Sequence, residues 1–464
     1  MGLTLDAQVA RFPELGGSER DVFVLVSVSG APPALGLQTT PGFASPLAGA
    51  PGRPPVVLAL ALDASSSMRG NRFALALQAA RNVVGSLGPS DRFAVVTFDR
   101  GARLVLPPTS LDAEGARVVH AALDRLGTGI GTNLGSGWRE AAEAVLRVMV
   151  PGATRRVLLL TDGYPSRGET GPEVLQSRVA EGASRGVETS VIGLGDGIDE
   201  KLCALLAGAG GGRFHYVRDE LAIGELVAAE VEGGKSVVAN DVRLSVSLGM
   251  AVERAELMHR YPCQPDGAEG RQMVVRVGAV TRDSARRVLL QIRRFGRDPE
   301  AHLGEVSAQG VGVDSGPQVS FSGVTTRSGY ALGASRGGAA GALEALAVPL
   351  RLAGLGGDGE RRAVAREILF LRTAAEIRGA WDALDASDRP AVERRLERAR
   401  ALRKALIESG LVDPEGLAGL PDVDAVHRAM VAPAPEAREA RRRLASWAHN
   451  TQVSFGGVVL PKRS

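Results

Sequence analysis

The 464-residue sequence predicts an α/β fold, a doubly wound and mostly parallel sheet with helices on both faces, joined to a β-sandwich and a C-terminal helical region. Three observations predict it. Two apolar runs, residues 56–62 and 158–160, lead to aspartates, as parallel strands buried on both faces do at their exposed ends. Strand-like and helical periods alternate between residues 54 and 231. Beyond residue 233 the pattern changes to period-two alternation, and from residue 360 to helical spacing.

Taken in order, residues 21–29 alternate as a strand and are followed by a Pro/Gly-rich linker over 31–55, so residues 1–53 form an N-terminal strand and linker. A strand with nothing beside it leaves its backbone groups unpaired. It is therefore expected to pair with the β-rich segment after residue 233. Residues 54–232 read strand, helix, strand, short strand, helix, loop, helix, strand, helix, strand, helix, with one helix over 71–87. Strands at 237–248, 273–280 and 288–295 define a sandwich over 233–314, into which the preceding domain is inserted. Residues 315–359 are a Gly-rich linker holding at most a short helix in the apolar stretch 342–355, broken by Pro349. A helical region spans 360–450: a hairpin over 360–409 interrupted near Asp388-Arg389-Pro390, a Pro-rich turn, and a helix over 436–449. The tail, 451–464, reads as a strand or extended arm.

The chemistry concentrates in three short segments of the first domain. Asp63-Ala64-Ser65-Ser66-Ser67 follows the first apolar strand and places one carboxylate and two hydroxyls in one loop, all hard oxygen donors suited to a small divalent cation. Gly131-Thr132-Asn133 lies in a Gly-rich loop, and Asp162 ends the second apolar strand. In open α/β sheets ligands collect beyond the carboxyl ends of the strands. Two carboxylates meeting there repel each other, and a divalent cation relieves that repulsion while neutral hydroxyls fill its shell. The competing reading is that Ser65 or Ser67 caps the helix over 71–87.

These segments resemble the metal-ion-dependent adhesion site of von Willebrand factor type A (vWA) domains, and the element order from residue 54 to about 231 is that of the family. The resemblance implies that Ser65, Ser67 and Thr132 hold the metal directly, and that Asp63 and Asp162 hold it directly or through water. With all five positions matched, the site reads as intact. The resemblance extends to bacterial members in which a β-rich segment and a helical tail follow the metal-binding domain. It implies a non-enzymatic interaction module in which Mg²⁺, or Mn²⁺ or Ca²⁺, accepts an acidic side chain from a protein partner such as an AAA-type ATPase or a signalling protein. The alternative is a vWA subunit of an ATPase-driven enzyme complex such as a metal chelatase. Those subunits usually carry an ATPase-like domain and an acidic linker ahead of this one, whereas only about fifty residues precede it here.

Composition narrows the classes further. A content of 44% hydrophobic and 23% charged residues is that of a soluble globular chain. With 55 basic against 52 acidic side chains and 4% aromatics, no nucleic-acid partner is expected, and the abundant Arg, Gly and Ala point to a GC-rich bacterial genome. Two distant cysteines, Cys203 and Cys263, read as reduced thiols. The first residues lack a basic or apolar leader, and no run approaches the ~20 apolar residues of a membrane span, so a cytoplasmic location is expected.

Other signals carry less. The glycines at 129, 131 and 135 follow a helical segment, 112–126, where a dinucleotide fingerprint needs a strand. Those at 193, 195 and 197 read as a tight turn. Gly233-Gly234-Lys235-Ser236 falls short of a P-loop because Ala229 stands where the first Gly belongs, and reads as an exit turn. The six histidines are dispersed, and neither a hydrolase elbow nor a nucleophilic Cys context is present. The Arg-rich stretch 438–443 reads as a solvated helix face, or as a site for a weak anionic partner.

Overall fold

The structure is a computed structural model that describes residues 3–12, 15, 18–30, 55–218, 222–235, 237–266, 271–281, 285–296, 301–312, 346–351, 358–413, 417 and 419–452. Most of the expected linker at 31–55 and the tail from 453 lie outside the described residues.

The first strands are β1 (Leu3–Ala10) and β2 (Asp21–Gly30). The chain then enters the α/β domain through β3 (Val56–Asp63), α1 (Asn71–Ser86), β4 (Arg92–Phe98), β5 (Ala102–Ser110), α2 (Ala113–Leu123), α3 (Leu134–Leu146) and β6 (Thr154–Thr161). It continues with α4 (Pro172–Ser184), β7 (Val187–Leu194), α5 (Glu200–Ala209), β8 (Gly211–Val217) and α6 (Ile223–Lys235). The sheet order is β5-β4-β3-β6-β7-β8, parallel except for β5.

All eight residues of β3 are buried, and alternate side chains enter opposite cores. Val56, Leu58, Leu60 and Leu62 meet Phe73, Ala80 and Val83 of α1, Leu123 of α2 and Val227 of α6. Val57, Ala59 and Ala61 meet Trp138, Ala141 and Val145 of α3, Val179 of α4 and Leu206 of α5. The alanines on that second face shorten the sheet side of the contact, and Ala141 and Ala144 shorten the helix side, so α3 lies close to the strand. Helices on both faces are what a continuous apolar run requires, because neither face can be left to water.

The order also fixes where a ligand crevice opens. From β3 the chain steps to β4 on one side, then crosses by α2 and α3 to β6 on the other. The connections diverge between β3 and β6, and beyond their carboxyl ends lies the topological switch point.

The sandwich is built from β9 (Val237–Leu248), β10 (Val252–Leu257), β11 (Cys263–Asp266), β12 (Gln272–Thr281), β13 (Arg286–Arg294), β14 (His302–Gly312) and β15 (Leu346–Arg351), together with β1 and β2. Its sheets run β1-β2-β13-β10 and β11-β12-β9-β14-β15. Strand β2 pairs antiparallel with β1 and with β13. The amino-terminal segment thus supplies two strands where the sequence reading had one; β1, beginning at Leu3, has weak alternation, with buried Leu3, Leu5 and Ala10 separated by half-buried residues. The inward side chains of β2, Val22, Val24, Val26 and Val28, join the sandwich core. The outward Phe23 and Leu25 are covered by Val364, Ile368 and Leu369 of α7 (Asp358–Asp385).

Three expectations are corrected. The stretch taken as a Gly-rich linker with a short helix contains β15, antiparallel to β14, with Pro349 opposite Glu305. As an edge strand it tolerates a residue without an N–H. The α/β domain carries a further strand and helix, β8 and α6, and α6 reaches Lys235, so Gly233 and Gly234 are in a helix and not in an exit turn. A Cβ on Gly234 would stand 3.1 Å from Arg156 Cδ, which gives the glycine a packing role. Finally, the last helix runs beyond residue 449.

The helical region comprises α7, α8 (Arg389–Glu408), α9 (Val423–Val431) and α10 (Ala434–Gln452). Asp388 accepts a hydrogen bond from Ala391 N–H and caps α8, whose first turn carries Pro390. Ile377, Trp381, Leu396, Val426 and Met430 form the common core, with Leu444 and Trp447 of α10 packed against it. Both cysteines are free thiols. Among the described residues no helix is long and apolar enough to cross a membrane.

Candidate metal centre

Asp63 is the last residue of β3 and Asp162 follows β6, so both stand at the switch point, with 0% and 1% exposure. Asp63 Oδ1 accepts a hydrogen bond from Ser65 N–H at 2.9 Å, and its Oδ2 accepts the Thr161 hydroxyl at 2.6 Å. The Ser67 hydroxyl donates to Asp162 Oδ1 at 2.7 Å and lies 2.9 Å from the Ser65 hydroxyl. Four of the five residues singled out in the sequence are thus joined by short contacts between oxygens and one backbone N–H.

Neither serine caps α1. Residues 66–68 form a single 3-10 turn anchored by fully buried Met68, and α1 starts after Gly70 with no side-chain cap. The capping reading is therefore set aside for Ser65 and Ser67.

Thr132 reaches the site through its backbone. Its carbonyl accepts Ser166 N–H at 2.9 Å and Arg167 N–H at 3.2 Å, and its N–H donates to the Ser166 hydroxyl at 3.0 Å. Gly129 N–H donates to Ala64 O at 2.6 Å, tying the Gly-rich loop to the Asp63 loop. Asn133 N–H donates to Asp99 O at 2.6 Å, and the Asn133 side chain caps α3 by accepting Ser136 N–H. The loops after β3, β4 and β6 and the loop before α3 are therefore fastened together around one crevice.

Two carboxylates are brought close together in the crevice. Burial pushes the Asp63 carboxyl upward from its usual range, the hydrogen bonds from Thr161 and Ser65 oppose that, and the nearby Asp162 charge adds to the rise. One cation is built in: Arg72, in the first turn of α1, places Nη1 3.0 Å from Asp162 Oδ2. Room for its guanidinium comes from Gly195, at φ +66°, where a Cβ would stand 2.6 Å from Arg72 Nη2. Sequence reading missed Arg72, Thr161 and Ser166. Thr161 adjoins Asp162 and was visible as a polar end to an apolar strand, whereas nothing local marks Arg72 as a partner of a residue 90 positions away.

The four residues that the structure brings together offer two carboxylates and the hydroxyls of Ser65 and Ser67, hard oxygen donors of the kind a divalent cation takes. Among the described residues no three His, Cys, Asp or Glu side chains cluster to offer a different metal site.

Residues 58–229 match the von Willebrand factor type A domain family. This chain carries a vWA domain. Over 196 residues it is 27% identical to YfbK of Escherichia coli K12, covering 42% of this chain and 34% of that protein. It is 26% identical over 168 residues to the human inter-alpha-trypsin inhibitor heavy chain H4, covering 34% of this chain and 18% of that one. The matched region thus spans about a third or less of these curated relatives. Two solved structures share the architecture over nearly the whole length. A von Willebrand factor type A protein from Catenulispora acidiphila aligns at 17% identity with a TM-score of 0.67, over 98% of both chains. The ArnB paralog VWA2 of Sulfolobus acidocaldarius aligns at 15% identity with a TM-score of 0.55, over 97% of this chain and 98% of that one. At such identities the likeness is one of fold, and it extends beyond the vWA domain to the sandwich and helical region.

Proposed function

We propose that the crevice of the vWA domain is a metal-dependent protein-interaction surface. The observation that carries this reading is the pair of buried carboxylates, Asp63 and Asp162, joined through the Ser65 and Ser67 hydroxyls at the switch point. A divalent cation would be held by Asp63, Ser65, Ser67, Thr132 and Asp162, with Mg²⁺ favoured and Mn²⁺ or Ca²⁺ as substitutes. When bound, such an ion supplies a Lewis-acidic position that accepts a carboxylate oxygen from outside. The chain's own residues prepare that position. Thr161 and Ser65 N–H hold Asp63 in one orientation, Arg72 holds one oxygen of Asp162, and Ser67 orients the other. Two negative ligands against a doubly charged ion cancel, and Arg72 adds one positive charge, so the loaded site would favour an acidic partner group. vWA domains act mostly as interaction modules.

The test is partner capture by the full chain. Capture in Mg²⁺ should be lost in EDTA and restored by added Mg²⁺, and Thr132→Ala should weaken it while the circular dichroism spectrum and melting temperature stay near wild type. A partner retained equally in EDTA and by Thr132→Ala would place the interface elsewhere on the molecule.

A further inference from the structure

Around the crevice the loops present charge and apolar surface of a specific kind. Arg69 follows the 3-10 turn of the Asp63 loop, Arg100 follows Asp99 in the loop after β4, and Arg167 lies in the loop after β6; all three are exposed. The last two flank Gly131: a Cβ there would stand 3.1 Å from Arg167 Cγ and 3.7 Å from the Arg100 Cα. Asn133 Nδ2 also donates to Arg100 O at 3.3 Å, which fixes that loop beside Thr132.

Some arginines elsewhere on the surface are neutralised by carboxylates, for example Arg81 by Asp124, Arg147 by Glu143 and Arg400 by Asp424. Among the described residues Arg100 and Arg167 have none, and Arg69 touches only the Thr128 hydroxyl at 3.5 Å. The nearby Asp99 carboxylate accepts Gly101 N–H at 3.2 Å. Two large side chains are exposed on the flanking loops: Ile130, two residues before Thr132, is 73% exposed, and Tyr164, two residues after Asp162, is 59% exposed.

We propose that this arginine collar with its two apolar side chains recognises an extended protein segment bearing several acids around an apolar residue: one carboxylate for the crevice, the others for Arg100, Arg167 and Arg69, and the apolar side chain for Ile130 and Tyr164. Charge complementarity argues for it, since three guanidinium groups without carboxylate partners beside a site already net positive when loaded repel basic partners, attract acidic ones and give neutral ones no electrostatic gain. The apolar pair favours a peptide over a phosphate backbone, which offers nothing to Ile130. The assignment rests on the metal-dependent reading above and adds to it the chemistry of the occupant beyond a single acid.

The experiment measures fluorescence anisotropy of two labelled synthetic peptides with the full chain in Mg²⁺ at low salt: Gly-Ser-Asp-Leu-Asp-Glu-Gly-Ser, and the same peptide keeping only its first Asp, with Asn and Gln replacing the other acids. The tri-acidic peptide should bind about tenfold more tightly, the sum of two exposed ion pairs. The double variant R100S/R167S should erase that difference while its Mg²⁺ binding by calorimetry is unchanged. Equal binding of both peptides, lost in EDTA, overturns the collar and leaves the metal reading standing. A tenfold preference that survives EDTA but not R100S/R167S supports the collar and overturns the metal reading. Failure of the tri-acidic peptide to bind at millimolar concentration overturns the proposal, as does tighter binding of a short oligothymidylate through the same arginines.

Discussion

Arg72 decides how the crevice behaves without an ion. Its guanidinium, 32% exposed, is the nearest positive charge to Asp162 and shares the burden of two buried carboxylates. Replacing it by Gln leaves those charges less compensated, so the metal-free protein should lose stability, by about 1 kcal/mol given partial solvent screening. The same change removes a charge that repels an incoming cation. Melting curves of R72Q should therefore start lower than wild type and gain more from Mg²⁺; an identical gain in both proteins would mean that Arg72 and the ion site are independent. The clustering of Asp63, Ser65, Ser67 and Asp162 was legible in the sequence because these residues stand at or just beyond the ends of apolar strands. Arg72 was not, since its role depends on the space left by Gly195 across the crevice.

Edge strands and the helix that covers one of them show where element-scale legibility ends. Strand β8, Gly-Gly-Arg-Phe-His-Tyr-Val, lacks an apolar run because it closes the vWA sheet and meets α10 instead of a further strand. The Asn450 side chain replaces that missing neighbour: its Oδ1 accepts Phe214 N–H at 3.1 Å and its Nδ2 donates to Phe214 O at 2.9 Å, with the Ser446 hydroxyl on the same carbonyl at 2.8 Å. This blunts an open sheet edge. N450A should cost about 1–2 kcal/mol by stranding the amide, and hydrogen exchange should accelerate at Phe214 before it does in β3. Unchanged exchange at Phe214 would show that the edge is protected by burial alone. By contrast β3 and β6 were readable, since burial on both faces forces an unbroken apolar run. β15 was not, because a Pro in a short edge strand reads as a break.

At the scale of the whole molecule, the helical region braces the sandwich to the vWA domain. Helix α7 covers β2, while α10 covers β8 and sends buried Arg442 to Asp196, bonding its Oδ1 at 2.8 Å and its carbonyl at 2.6 Å. Arg441 pairs with Glu200 of α5 and Asp385 of α7. The arginine stretch expected to be a solvated face is thus largely spent on internal ion pairs. His449, 3% exposed on the same helix, has its pKa pushed down to about 4 by burial, against a hydrogen bond to Gly212 O. The unfolded chain takes up that proton near 6.5 and the folded one only near 4. Stability is therefore complete above 6.5 and falls as the pH drops through this window, by up to ~3 kcal/mol. Denaturant unfolding at pH 7 and pH 5 should show this loss, and H449Q should remove most of it; the same pH dependence in H449Q would assign it to other groups. The brace also ends beside the crevice, because Asp196 sits between Gly195, which makes room for Arg72, and Gly197, where a Cβ would stand 2.5 Å from Asp162 O. A Mn²⁺ titration of the full chain followed by electron paramagnetic resonance tests cation binding in the crevice most directly: one ion bound per chain, displaced by Mg²⁺ and absent in D63A with the fold intact, is the expected result, and equal Mn²⁺ binding by wild type and D63A would contradict it.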